Sequence, residues 1–123
     1  MRCGVTGMVD TQKPRKFPRY PLLMTRPSKL DPSAVEAWLA THPGWSRDGD
    51  ALVRSYVLPD FAAALAFAVR IGMIAEKRDH HPDLHIGWGK AKVVWSTHDA
   101  GGVTQLDLDL AEATDGVGAR GAA

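Results

Sequence analysis

The sequence predicts an α+β fold in which a four-stranded antiparallel sheet has three helices packed on one face. Apolar residues recur at helical spacing in three segments and alternate with polar residues in two pairs of segments. The segments follow the order helix, two strands, helix, two strands, helix, or α-β-β-α-β-β-α. Strand pairs joined through helices favour an antiparallel sheet covered on one face. The length of 123 residues suits one domain with a core of its own.

The first helix and the first strand pair have clear boundaries in the sequence. Asp31 can cap the first free amides of a helix, and the proline that follows it suits the first helical position. The helix is predicted to stop at Pro43, and Trp45 begins a short extended piece. Residues 48–50, Asp-Gly-Asp, indicate a turn, and residues 51–58 alternate as a strand does.

The second helix is predicted over residues 61–77, with Asp60 as its cap. Apolar residues cover much of its circumference, so the helix needs two surfaces against which to bury them. One surface is the sheet, and we predict that the second is a partner subunit. The alternative is that the termini of the same chain cover the helix.

The second strand pair and the last helix complete the fold. Residues 85–88 are predicted to be extended, and residues 90–97 alternate apolar and polar side chains in the manner of a strand. Thr104 with Asp107 three positions later resembles a capping box, which opens the last helix. Residues 116–123 are rich in glycine and alanine and are predicted to form a flexible tail.

The formal net charge of +1 conceals two segments of opposite charge. Residues 1–29 hold seven basic residues and one acidic residue, a net +6, whereas the other 94 residues hold eight basic and thirteen acidic residues, a net −5. The first segment also holds four prolines, so we predict an irregular basic arm at residues 1–29 and a folded domain at residues 30–115. Nucleic-acid binding depends on the arm alone and is not expected of the domain.

Apolar runs and the number of cysteines decide whether a secreted, membrane-spanning or disulfide-bonded protein is expected. The first ten residues lack an apolar run long enough for a signal peptide, and no stretch approaches the roughly 20 apolar residues of a membrane span. A cytoplasmic protein without membrane contact is therefore expected. The single cysteine excludes an intrachain disulfide framework and a multi-cysteine metal site.

Four of the five histidines, His80, His81, His85 and His98, fall within 19 residues. An imidazole titrates near neutral pH, so it can donate or accept a proton. A loop can aim His80 and His81 at one point, and His98 follows the strongest strand, so these three are the candidate catalytic residues. His85 lies within a strand and is expected to be an ordinary surface residue. Adjacent histidines rarely chelate one ion well, so no metal site is predicted, although a metal-binding protein stays an alternative.

Two acidic residues could serve this cluster. Glu76 precedes His80 by four residues and could orient or tune a histidine, and the alternative is a solvated charge at the end of a helix. Asp107 could face the same pocket, and it could equally cap the last helix through Thr104. The two roles of Asp107 are compatible.

These residues form a pattern that resembles the pterin-4a-carbinolamine dehydratase family, also known as the dimerisation cofactor of a hepatocyte homeodomain transcription factor. The family pattern is Glu, three residues, His-His-Pro, five residues, an aromatic residue, and later Ser-Thr-His. Here the pattern is formed by Glu76, the run His80-His81-Pro82, Trp88 and the run Ser96-Thr97-His98. The resemblance covers about residues 31–113. Three positions depart from the family, namely Leu84, Ala100 and Leu106.

The resemblance implies a site and a reaction. The implied catalytic residues are His80, His81 and His98, with His80 and His98 as the principal acid and base. The implied substrate-binding or supporting residues are Glu76, Pro82, Thr97 and Asp107. The implied reaction removes water from 4a-hydroxytetrahydrobiopterin to give quinonoid dihydropterin, in tetrahydropterin recycling, with no cofactor and no metal. A role in molybdopterin metabolism stays open as an alternative.

The resemblance also implies partners. Family members form dimers by sheet pairing and tetramers through the long helix, so we expect a homodimer or homotetramer through the sheet edge and helix 61–77. The implied reaction would link the protein to an aromatic amino-acid hydroxylase. A non-catalytic binding or dimerisation module on the same fold is the alternative, and the intact histidines favour the enzyme.

Overall fold

The elements of the structure follow the predicted order. A computed structural model describes residues 27–121, with side chains up to residue 118. The elements are α1 (Pro32–Ala40), β1 (Ser46–Asp48), β2 (Ala51–Val57), α2 (Phe61–Arg78), β3 (Asp83–Gly87), β4 (Lys90–Trp95) and α3 (Gln105–Gly121). A 3-10 turn, His98–Ala100, lies between β4 and α3. The predicted α+β class and the order α-β-β-α-β-β-α are confirmed.

The four strands form one antiparallel sheet in the order β1-β2-β4-β3. Side chains alternate between the faces of each strand, so the register decides which residues meet on a face. On the helix-covered face Leu52 pairs with Trp95, and Val93 pairs with Leu84. Leu52, Val93 and Trp95 are fully buried there. The opposite face carries exposed polar side chains, so the sheet has one face in the core and one in solvent.

The helix α2 buries only one of its two apolar surfaces within the described residues. The Asp60 carboxylate accepts a hydrogen bond from the Ala63 backbone N–H at 2.8 Å, so the predicted cap is confirmed. The inward face packs against the sheet and α3. The outward face exposes apolar side chains at four-residue spacing, and we call these four residues the α2 stripe: Phe61, Leu65, Val69 and Met73. Such a surface suits a contact with another protein molecule.

Residues 116–121 of the predicted tail are helical, because α3 continues as far as Gly121, and residues 122–123 lie outside the described residues. Glycine lowers helix propensity, which favoured an earlier end. Tertiary packing overrides that preference: the side chain of Val117 is only 4% exposed. Gly118 lies so close to the sheet that an added Cβ would stand 2.8 Å from Cε2 of Tyr56. A small residue is needed at this position, and the glycine is part of a packed helix.

A polar cluster around Asp115 holds the second half of α3 against the first hairpin. Trp45 Nε1 donates to Oδ2 of Asp115 at 2.9 Å, and Arg54 Nη1 donates to Oδ1 at 2.9 Å. The Tyr56 hydroxyl donates to the same Oδ1. Burial, together with the hydrogen bond to Asp115 and its negative charge, raises the pKa of the Tyr56 phenol, and Arg54 opposes the effect. Three residues near or on the first two strands are therefore fixed to one carboxylate of α3.

The start of the domain is joined to the segment that leads into α3. Lys29 forms an isolated antiparallel bridge with Thr104, and the Leu30 N–H donates to the Val103 carbonyl at 2.9 Å. Most of the predicted basic arm, residues 1–26, lies outside the described residues. Within the described part of the chain, no helix has the length and apolar character to cross a membrane.

Candidate active site

The end of α2 sends two adjacent histidines in different directions. Asp79 adopts a left-handed conformation with φ of 50°, and the His80 N–H donates to the Ala75 carbonyl at 3.1 Å. This turn stops the helix and satisfies carbonyl groups that would otherwise lack partners. His80 then lies inside the protein, only 8% exposed, whereas His81 faces solvent. The loop therefore gives the two histidines different environments.

His80 is paired with a buried carboxylate. Its Nε2 lies 2.6 Å from Oδ1 of Asp107, which has no exposed surface. An ionised carboxylate only accepts hydrogen bonds, so Nε2 is the donor and Nδ1 retains its lone pair. The ring also stacks on Trp95, with centroids 5.8 Å apart and an angle of 12° between planes. These contacts fix both the tautomer and the orientation of His80.

The second oxygen of Asp107 is held by two threonines. Thr97 Oγ1 donates to Oδ2 at 2.7 Å, and the backbone N–H of Thr104 donates to the same atom at 2.9 Å. The hydroxyls of Thr97 and Thr104 are 3.0 Å apart and also hydrogen-bonded. Asp107 thus forms the predicted capping interaction and faces His80 at the same time. From the sequence, Thr104 is predicted only to cap α3. Because its capping partner is Asp107, which holds His80, the same capping box also connects Thr104 to the site.

His81 has a carboxylate partner of its own. Its Nε2 lies 2.7 Å from Oε1 of Glu76, and both side chains are exposed. The sequence predicts that Glu76 orients a histidine, and the structure pairs it with His81 rather than with His80. Because solvent screens exposed pairs, this contact orients the His81 ring more than it stabilises the fold.

His98 is brought to the cluster by the turn that follows β4. Gly101 adopts a positive φ of 76°, and an isolated bridge between Thr97 and Gly102 closes the loop. The His98 side chain is exposed, and it makes no hydrogen bond with another described residue. Its imidazole is therefore available to a ligand.

One open cavity of about 220 Å³ joins the three histidines. Its lining residues come from the end of α2 and the end of β4: Asp79, His80, His81, Ser96, Thr97, His98 and Asp99. Glu76 and Asp107 stand behind the lining as partners of His81 and His80. Pro82 follows His81 directly and leads into β3, and it does not line the cavity. His85 lies on β3 outside this cavity.

Two of the three departures from the family pattern lie in the core. Leu106 is buried, and Leu84 packs against the core from β3. Ala100 lies in the 3-10 turn. None of the three lines the histidine cavity. In the described residues, no group of three or more His, Cys, Asp or Glu side chains is arranged to hold a metal ion.

Several known proteins are similar to this chain in sequence. The family described as pterin 4 alpha carbinolamine dehydratase matches residues 28–117. A protein of Thermosynechococcus vestitus, provisionally named a pterin-4-alpha-carbinolamine dehydratase, is 45% identical over 84 residues, which cover 68% of this chain and 88% of the relative. A Bradyrhizobium protein with the same name is 53% identical over 78 residues, covering 62% of this chain and 79% of the relative.

Solved structures show the same fold. The crystal structure of a transcriptional coactivator/pterin dehydratase from Brucella melitensis superposes with a TM-score of 0.70 at 30% identity, covering 74% of this chain and 99% of that chain. A pterin dehydratase-like protein, identified as a RuBisCO assembly factor in the alpha-carboxysome, has a TM-score of 0.50 at 15% identity. It covers 60% of this chain and 86% of that one, and it shows the shared fold alone.

Proposed function

This chain belongs to the pterin 4 alpha carbinolamine dehydratase family, and we propose that it removes water from a 4a-hydroxytetrahydropterin by histidine acid-base catalysis. The substrate would be 4a-hydroxytetrahydrobiopterin and the product quinonoid dihydropterin, within tetrahydropterin recycling. The observation that carries the proposal is the shared cavity of His80, His81 and His98, with His80 backed by the buried Asp107.

The chemistry requires two proton transfers. The bond between C4a and the hydroxyl oxygen breaks, and hydroxide leaves readily only if an acid protonates it. A ring nitrogen loses a proton as the new C=N bond forms, so a base must accept that proton. Imidazoles can perform both transfers near neutral pH, and each positioned group contributes about 10²- to 10⁴-fold to the rate.

We assign the role of base to His80. Its Nε2–H is held by Asp107, which leaves the Nδ1 lone pair for the substrate. When Nδ1 accepts a proton, the ring becomes a cation directly beside the Asp107 carboxylate. A buried carboxylate stabilises such a cation more strongly than water-exposed groups do.

His98 and His81 complete the site in this proposal. His98 is exposed in the same cavity and free of hydrogen bonds to the described residues, so it can carry a proton to the leaving hydroxyl. His81 is oriented by Glu76 and would hold and polarise the substrate. Thr97 supports the site through Asp107, whereas Pro82 would fix the course of the loop into β3.

The test is a dehydration assay on freshly generated 4a-hydroxytetrahydropterin. We expect the wild-type chain to accelerate the appearance of quinonoid dihydropterin, and His98→Ala to reduce kcat by about 10²-fold or more. His42→Ala is the matched control, because it removes a histidine that follows α1 and lies outside the cavity, so it should leave the rate unchanged. A wild-type chain without activity would instead favour a non-catalytic binding module. Equal rates for wild type and His98→Ala would refute the role of His98.

The proposal includes the oligomeric state of the protein and the source of its substrate. The exposed α2 stripe and the edge of β3, which pairs with no further strand among the described residues, support a homodimer or homotetramer formed through these two surfaces. The carbinolamine would be supplied by an aromatic amino-acid hydroxylase, and a cytoplasmic location suits that role.

A further inference from the structure

A second concavity lies on the β3–β4 hairpin and includes polar residues of the sheet's solvent face. It has a volume of about 230 Å³, and its polar lining residues are Ser55, His85, Lys90 and Lys92. We propose that it binds the phosphate group of a small organic phosphate monoester. This proposal does not depend on the dehydratase activity.

The strand register brings the polar groups together. Ser55 on β2 pairs with Lys92 on β4, and Lys92 pairs in turn with His85 on β3. Paired residues of neighbouring strands project from the same face, and the strands lie about 4.8 Å apart. A hydroxyl, an ammonium and an imidazole therefore stand side by side across three strands.

The next row of the sheet adds a second cation and an apolar neighbour. Lys90 pairs with Gly87 on one side and with Val57 on the other. An added Cβ at Gly87 would stand 2.9 Å from Cε of Lys90, so the glycine leaves room for the lysine stem to cross the strand. Val57 is 87% exposed. A phosphate held by the lysines would thus have an apolar surface beside it for the organic part of the molecule.

The charges of this concavity are not neutralised within the described residues. Lys90, Lys92 and His85 make no side-chain hydrogen bond or salt bridge there, and no acidic residue lines the concavity. The nearest acid on the same face, Asp83, lies one row further along and pairs with Val94. Residues 30–123 have a net charge of −5, yet two of their eight basic residues meet here. Lysine ammonium and hydroxyl donors are suitable partners for phosphate oxygens.

The concavity is separate from the histidine cavity. The histidine cavity lies where α2 leads into β3 and where β4 ends, whereas the second concavity lies toward the β3–β4 turn. The two share no lining residue. Strand pairing at the β3 edge would use backbone groups in the plane of the sheet, so it would leave this face open.

The test is an amide NMR titration of the full chain at constant ionic strength, with inorganic phosphate and phenyl phosphate as probes. We expect saturable shifts confined to residues around 55 and 85–92, with phenyl phosphate binding more tightly than inorganic phosphate. Lys92→Gln should raise the Kd about tenfold, because a charged hydrogen-bond donor is lost. Lys77→Gln, an exposed lysine on α2, is the matched control and should leave the Kd unchanged.

The outcomes are distinguishable. Equal affinity for both probes would still support a phosphate site, with free phosphate as its ligand. Shifts that do not saturate, or that are the same in wild type and Lys92→Gln, would overturn the proposal. Unchanged amide positions far from the sheet face would show that Lys92→Gln is folded, so a loss of binding could not come from unfolding.

Discussion

Asp107 uses its two carboxylate oxygens for different purposes. Oδ1 accepts from His80 and sets its tautomer, whereas Oδ2 accepts from the start of α3 and from Thr97. A single residue therefore couples the end of β4, the start of α3 and the turn after α2. The arrangement resembles other histidine–carboxylate pairs, in which the carboxylate orients the ring and stabilises its cation.

Asp107→Asn tests this coupling at the residue scale. The asparagine side chain has the size of the aspartate side chain, but its NH₂ group cannot accept the hydrogen bonds that a carboxylate oxygen accepts. We therefore expect kcat to fall about 10²-fold or more while KM changes little. The free energy of unfolding should fall by roughly 1–3 kcal/mol, because buried donors lose an acceptor. Asp109→Asn, an exposed aspartate on the same helix, should leave both quantities near wild type. A wild-type kcat for Asp107→Asn would contradict the role of the pair.

The sequence predicted that a loop and a strand end bring His80, His81 and His98 together, and the structure places these three at one cavity. Both predicted acids lie beside a histidine of this cluster. The catalytic roles of these residues stay predictions. The partner of each histidine was not predictable, because it depends on the left-handed turn at Asp79, which buries His80 and exposes His81. The contact between Thr104 and Asp107 was predictable, because the capping box pairs these two residues.

At the scale of elements, α3 shows how tertiary contacts decide where a helix ends. Glycines after residue 115 favoured a tail, yet Asp115, Val117 and Gly118 all have partners in the core or on the first hairpin. Local propensity is weaker than this packing. The contacts join residues about 60 positions apart, so no local pattern could reveal them.

Two glycines of α3 provide a matched pair of variants. An added Cβ at Gly118 would meet Cε2 of Tyr56 at 2.8 Å, whereas one at Gly116 would meet no atom within 4 Å. Gly118→Ala should therefore lower the free energy of unfolding by roughly 1–3 kcal/mol through overpacking. Gly116→Ala should raise it by about 0.4–1 kcal/mol, because alanine favours the helix. Urea denaturation measures both, and equal effects of the two changes would contradict the packed end of α3.

The α2 stripe leads to a prediction about assembly. Leu65 is at its centre and 46% exposed, so Leu65→Glu should place a charge in the proposed interface. We expect wild type to sediment as a dimer or tetramer and Leu65→Glu as a smaller species. Ala37→Glu, at an exposed position of α1, is the control and should sediment as wild type does. A monomeric wild type would exclude the interface.

At the scale of the whole molecule, the chain divides into a basic N-terminal arm and an acidic folded domain. The net charge of +1 is the sum of a basic arm and an acidic domain, and the family match begins at residue 28. The fold class was predictable because segments with apolar residues at helical spacing are clearly separated, along the domain, from segments in which apolar and polar residues alternate as in a strand. The arm has no such pattern, and its predicted irregularity stays a prediction.

If the histidine cavity performs the proposed dehydration, the reaction depends on His80, and the rate constant of His80→Ala reveals that dependence. Single-turnover dehydration of 4a-hydroxytetrahydropterin should be measured for wild type and His80→Ala side by side. We expect wild type to exceed the spontaneous rate and His80→Ala to be about 10²- to 10⁴-fold slower than wild type. A folded His80→Ala chain with the wild-type rate constant would show that the dehydration does not take place in the histidine cavity.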